Sequence, residues 1–214
     1  MTVKLVWVTP DADRMIAYLA RVSAPENQAR HETADRLIQF LIRNRHWSPF
    51  EMVNLCVEVN LPRDIGRQML RHAMRVQEFS QRYADVRKLG GEPELREARL
   101  ADPSNRQKSI DWDDPEVAAE WEADQREIWE ASQRIYGKWL DRGMAREVSR
   151  AVLPEGLTPT RMYFNGYLRD WLFYCELRRG NGTQAEHVGV AEGVWEIIKE
   201  VFPVTSLAWE RARS

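Results

Sequence analysis

The sequence predicts an α/β or α+β fold. Three observations carry that prediction. Short apolar segments with strand-like alternation interleave with longer amphipathic ones of helical period. Proline and acidic residues mark helix starts, and no repeat or low-complexity tract breaks the 214 residues. A chain of this length encloses a sizeable core as one domain over residues 1–214, and a second is not required.

Taken in order, KLVWV (4–8) reads as a buried strand, and Asp11 to Val22 as a helix capped by Asp11 or Asp13. After the polar break SAPENQ, a helix is expected from about His31 to Arg45, with Leu37, Phe40 and Leu41 on one face. Ser48-Pro49 ends that unit. Met52 to Asn60 alternates as a half-buried strand with Val53, Leu55, Val57 and Val59 on one side. Pro62 then opens a helix running to about His72. Asp85 to Asp113 is charged, rich in turn residues, and reads as a mobile loop.

Asp114-Pro115-Glu116 starts a helix to about Leu140, carrying Trp121, Ile128 and Ile135 at seven-residue spacing. A partner helix and ordinary core packing account for that stripe equally well. A short helix from Met144 to Val152 stops at Pro154, a strand follows over Met162 to Tyr167, and a helix runs from Leu168 to about Arg179. The polar turn GNGTQ leads into a last amphipathic helix, Glu186 to Phe202.

The formal net charge is −2 and the pI about 6.1, so nothing draws the chain in bulk to nucleic acid or an anionic membrane. A phosphate must be met by a local arginine cluster. No run approaches the length of a membrane span, and MTVKLVWVTPDADR turns acidic before a signal core forms. With two cysteines, Cys56 and Cys175, reduced thiols in the cytoplasm are expected. Both sit in apolar surroundings and read as inert. His31, His46, His72 and His187 lack metal-binding spacing, and HExxH, CxxC, Walker and GxGxxG motifs are absent.

The densest polar cluster is QMLRHAMRVQEFSQRY, Gln68 to Tyr83. On a helix from Pro62, the side chains of Gln68, Arg71 and His72 share a face, and Arg75, Gln77, Glu78, Ser80 and Arg82 follow at once. Fixed positive charge beside directional donors suits a phosphate or a uracil-like ring. A solvated charged face suits the same run. Trp171, Tyr174, Cys175 and Arg178 fall at i, i+3, i+4 and i+7, which puts a guanidinium on an apolar stripe. A structural ion pair, snorkelling to solvent, or a nucleotide would each satisfy it.

These segments, with ARVS ending at Ser23, HWSPFE from His46, RAVLP from Arg150, Leu177-Arg178, and NGTQAEH from Asn181 to His187, are similar in kind and order to the flavin-dependent thymidylate synthases. That family is marked by Arg-His-Arg followed about seven residues on by a serine, then an arginine and a tyrosine. The matching run here is Arg71-His72-Ala73 through Gln77-Glu78-Phe79-Ser80-Gln81-Arg82-Tyr83.

The resemblance implies a central sheet flanked by long helices, in a homotetramer whose active sites are shared between subunits. It implies FAD as cofactor, NADPH and methylenetetrahydrofolate as co-substrates, a small-molecule uridylate methylated at C5, and no reliance on a cysteine. It places Gln68, Arg71, Ser80, Gln81, Arg82, Arg150 and Arg178 at the nucleotide, with Arg82 and Arg150 on the phosphate and Arg178 on the uracil ring. Catalytic roles fall to Arg178 and Ser80, the serine not as a covalent nucleophile. It places Ser23, His46, Ser48, Glu51, Arg71, His72, Met74, Arg75, Glu78 and Arg169 at the flavin.

The chain departs from the pattern at Ala73, in a run to Ser80 that is one residue short, and at Phe173, where relatives place histidine or asparagine. These departures point to a substrate range that includes UMP as well as dUMP. A family member that binds flavin or nucleotide without catalysis is the competing reading.

Overall fold

The alternation of Val53, Leu55, Val57 and Val59, each fully buried, builds the centre of the molecule. In the computed structural model, which describes residues 1–90, 92–180 and 182–213, an antiparallel sheet runs in the order β1 (Thr2–Val8), β2 (Asn54–Pro62), β6 (Pro159–Tyr167), β3 (Arg75–Glu78). The antiparallel pairing places the fold on the α+β side of the expectation. β6 pairs with β2 from Pro62↔Pro159 to Asn54↔Tyr167 and is longer than expected, because burial already alternates from Thr160.

Helices α1 (Ala12–Ala20), α2 (Ala34–Arg43), α6 (Leu168–Arg178), α7 (Ala185–Val201) and α8 (Pro203–Arg211) contribute Ile16, Ile38, Trp171, Val194 and Trp209 to one core with the sheet. Burying an indole such as Trp171 or Trp195 contributes roughly 4 to 6 kcal/mol of gross transfer energy. In α2 the buried face is Ala34, Ile38, Leu41 and Ile42. Phe40 lies outside it, 47% exposed, where its ring meets His46 edge-on. α8 was not expected from the sequence. Asp13, a candidate cap for α1, instead accepts hydrogen bonds from the Val204 and Thr205 backbone N–H groups and the Thr205 hydroxyl, capping α8.

The helix expected to reach His72 ends sooner: α3 spans Arg63–Met69, and Pro62 belongs to β2. Gly66 seats α3 on the sheet, since a Cβ there would stand 2.7 Å from Met162 Sδ. The polar run Arg75–Glu78, whose sequence carries no strong strand signal, is drawn into β3 by pairing with β6.

The expected loop over 85–113 contains a short 3-10 turn (Val86–Leu89) and a hairpin of β4 (Arg99–Ala101) with β5 (Ser109–Asp111). α4 (Pro115–Asp141) starts at Asp114, whose carboxylate caps Glu116 and Val117. Its Trp121 and Ile128 are exposed, so core packing within this chain does not explain that stripe; the buried side carries Gln125, Ser132 and Tyr136. Met144–Val152 resolves into α5 (Arg146–Ser149) and one 3-10 turn.

Candidate functional site

The segment from Arg71 to Tyr83 is a turn leading into an edge strand, so helical spacing does not bring its side chains together. Packing does. Met74 is buried in the core against Gly166 of β6, where a Cβ would lie 2.6 Å from Met74 Cγ. That close approach presses the turn onto the sheet and turns His72 inward over Tyr174, with ring centroids 4.8 Å apart and edge-on. His72 Nε2 accepts a 2.9 Å hydrogen bond from Arg178 Nε. Burial, then the charges of Arg178 and Arg71, lower the His72 pKa to about 4. The imidazole is therefore neutral with its proton on Nδ1. Arg178 is half-buried, and its partner is this imidazole.

Beside this pair runs a chain of uncharged groups. Tyr174 Oη lies 3.1 Å from His187 Nε2, His187 Nδ1 3.2 Å from Gln68 Oε1, and Gln68 Nε2 2.7 Å from Gln184 Oε1. His187 is fully buried, and burial followed by the charge of Arg178 lowers its pKa to about 4. Burial pushes the Tyr174 hydroxyl pKa well up. Beyond Gln184, Glu186 is held by Arg99 and faces Arg96. Burial opposes the Glu186 charge, yet its own backbone N–H, the Gln184 amide and the two arginines together keep it below the usual carboxylate range.

A second group gathers at the other end of α3. A cavity of about 280 Å³ is lined by Arg63, Arg67, Gln81, Glu147, Arg150 and Leu153, among others. Gln81 is buried, and its Nε2 finds no acceptor among the described residues. Arg82 reaches the same place through Glu147, whose Oε2 accepts from Arg82 Nε at 3.0 Å. Ser80 is half-buried, and its carbonyl accepts the N–H groups of Tyr83 and Ala84. Glu78 turns away from His72 and pairs with Arg63 (2.9 Å) and Arg67 (3.2 Å) of this second group and with the Thr160 hydroxyl (3.1 Å).

Of the remaining candidates, Glu51 and Arg169 form an ion pair at 2.5 Å, and Arg169 Nε is buried without a partner among the described residues. Ser48 begins the 3-10 turn that holds Glu51. Phe173 packs edge-on between Trp47 (5.2 Å) and Trp209 (5.5 Å). Ser23 and His46 are exposed in connecting segments, and Arg71 and Arg75 point to solvent with no carboxylate partner among the described residues. Cys56 and Cys175 are free and buried, and burial raises both thiol pKa values, in keeping with inert packing.

A cavity of about 1020 Å³ lies between the β4–β5 hairpin, the start of α4 and Arg179, Gly180, Gly182, Thr183 and Gln184, and meets the His187 cluster through Gln184. Asn181, the first residue of the NGTQAEH segment, lies outside the described residues. Sequence reasoning missed Tyr174, His187 and Gln184 as site residues. A signal was present: His187 lies on the stripe His187, Val190, Ala191, Val194, Trp195, Ile198, all buried on α7. A histidine on an apolar stripe needs internal partners.

The family profile described as thymidylate synthase complementing protein matches residues 4–204. A probable flavin-dependent thymidylate synthase of Paramecium bursaria Chlorella virus 1 is 41% identical over 211 residues, covering 95% of this chain and 96% of that one. A flavin-dependent thymidylate synthase of a Synechocystis species is 39% identical over 197 residues, covering 92% and 88%. Among solved structures, the UMP/dUMP methylase PolB from Streptomyces cacaoi, bound with 5-Br dUMP, superposes with a TM-score of 0.83 at 28% identity, covering 98% of this chain and 94% of that one.

Proposed function

The chain belongs to the flavin-dependent thymidylate synthase family and is a methyltransferase, and from that premise we propose that it methylates uridylates, UMP as well as dUMP, at C5. In this reading the cofactor is FAD, the carbon donor methylenetetrahydrofolate and the reductant NADPH. The observation that carries the nucleotide site is the buried, unpartnered Nε2 of Gln81 in a cavity lined by Arg63, Arg67 and Arg150. A buried donor without an acceptor is costly, and a phosphate oxygen supplies the acceptor while its charge meets the arginines. Arg82 joins them by exchanging the Glu147 carboxylate for the phosphate.

At the other end of the nucleotide, Arg178 keeps Nε on His72 and so presents its Nη groups to the uracil ring. Placed there beforehand, they stabilise negative charge developing on the ring as C5 becomes nucleophilic. Because His72 is neutral, it orients the guanidinium without competing with it as a second cation. Gln68 and Ser80 fix the nucleotide between these two ends, and no cysteine takes part.

Of the residues expected at the flavin, Arg71, Arg75 and Arg169 carry the fit, while Met74 is packed in the core and Glu78 is paired with Arg63 and Arg67. Arg71 and Arg75 offer exposed guanidinium groups with no carboxylate partner among the described residues, suited to a pyrophosphate, and Arg169 Nε, unmet among the described residues, lies beside Glu51. A flavin held there would supply the redox chemistry for the reductive transfer of the one-carbon unit, with NADPH as the proposed reductant. We further place the enzyme in the cytoplasm, acting as one domain in a homotetramer with shared active sites. The free thiols and the exposed Trp121, Ile128 and Trp139 of α4 support that placement.

Purified protein supplied with FAD, NADPH and methylenetetrahydrofolate tests the proposal by turnover of dUMP and UMP side by side. Turnover of both is expected. Turnover of dUMP alone removes UMP from the proposal, and binding of both without turnover favours the non-catalytic reading that Ala73 and Phe173 raise.

A further inference from the structure

The direction of the buried chain from Tyr174 to Gln184 follows from hydrogen-bond accounting. Tyr174 is 1% exposed, and its hydroxyl proton has one acceptor within reach among the described residues, His187 Nε2. If Nε2 carried the proton instead, it would donate to the phenol and leave the phenol's own proton buried and unmet, at a cost of about 1–3 kcal/mol. Tyr174 therefore donates, Nε2 accepts, and the neutral ring carries its proton on Nδ1. Nδ1–H then donates to Gln68 Oε1, which turns Gln68 Nε2 toward Gln184 Oε1.

We infer that Tyr174 and His187 are positioning residues that fix the amide polarity of Gln68 and Gln184, so that Gln68 offers its remaining Nε2 proton to an oxygen acceptor on the bound nucleotide. Neither residue touches the ligand in this account. The nucleotide half rests on the proposed function; the proton order does not. A reversed chain would turn the amide oxygen of Gln68 outward and favour a donor on the ligand. The two polarities therefore select opposite chemistry at one point of the site.

The proton order is read directly by long-range ¹H–¹⁵N correlation of the imidazoles in labelled wild-type protein. With four histidines in the chain, the His187 signals are assigned as those lost in His187→Asn. A neutral Nδ1–H ring is expected, and an Nε2–H ring overturns the inference. The positioning half is read by dUMP titration. Tyr174→Phe is expected to weaken dUMP by about tenfold, one unmet buried group's worth.

His187→Leu, which has no donor, is expected to weaken dUMP at least as much. His187→Asn, whose amide N–H stands in for Nδ1–H, is expected to stay within about threefold of wild type. Tyr174→Phe and a folded His187→Leu that bind dUMP as wild type does overturn the positioning role. Wild type that shows Nδ1–H but binds neither dUMP nor UMP upholds the proton order and overturns the nucleotide reading.

Discussion

Two polar clusters flank α3, and they differ in how their hydrogen bonds close. Around Gln68, the Tyr174 hydroxyl, His187 Nδ1 and one Nε2 proton of Gln68 each end on an internal acceptor. Around Gln81, a buried amide nitrogen meets no acceptor among the described residues, Arg150 lines the cavity, and Arg82 is tied to it through Glu147. A closed network holds groups in place, whereas an open one is completed by something else. The contrast separates Tyr174 and His187, which position, from Gln81 and its neighbouring arginines, which bind.

The largest test of that contrast is Arg150→Ala. Losing one charge-assisted contact to a phosphate should raise the nucleotide KM about 100-fold, while an exposed arginine leaves the melting temperature within about 2 °C. A large loss of stability with unchanged KM would move Arg150 to the structural side. Next comes Gln81→Leu. It should weaken the nucleotide about tenfold yet raise stability by about 1 kcal/mol, since it removes a buried donor that the free protein leaves unmet. Kinetics and denaturant titration on one preparation read both signs.

The smallest effect lies in the closed cluster and is read through pH. The folded chain holds His72 and His187 near 4, against 6.5 for an ordinary imidazole. Between those values the unfolded chain binds more protons. Stability from these residues is therefore complete above about pH 6.5 and falls as the pH drops toward 4. His187→Asn should flatten part of that slope in thermal melts across the window. An unchanged slope would show that His187 is not the neutral, enclosed group described above.

The two clusters were unequally legible in the sequence. Arg82, Arg150 and Gln81 stand in short motifs, and the family resemblance of those motifs implied a common place at the nucleotide. The closed cluster joins residues 106 to 119 positions apart, Arg178 to His72 and His187 to Gln68. No local pattern announces such pairs. Helical spacing grouped Gln68, Arg71 and His72 for a reason the fold does not use, because Met69 ends the helix and β6 captures Arg75–Glu78 as a strand. β2 was legible because period-two alternation and burial coincide there. α8 was not, because its cap comes from Asp13, at the opposite end of the sequence.

That last contact bears on the order in which the protein takes shape. The hydrogen bonds from Val204 and Thr205 to Asp13 span 191 and 192 positions. At a synthesis rate of about 5–20 residues per second, roughly 10 to 40 seconds separate the emergence of the two partners from the ribosome. For that interval Asp13 is a solvated acid on a nascent chain, free to be met by a chaperone. The molecule closes on itself only when α8 arrives.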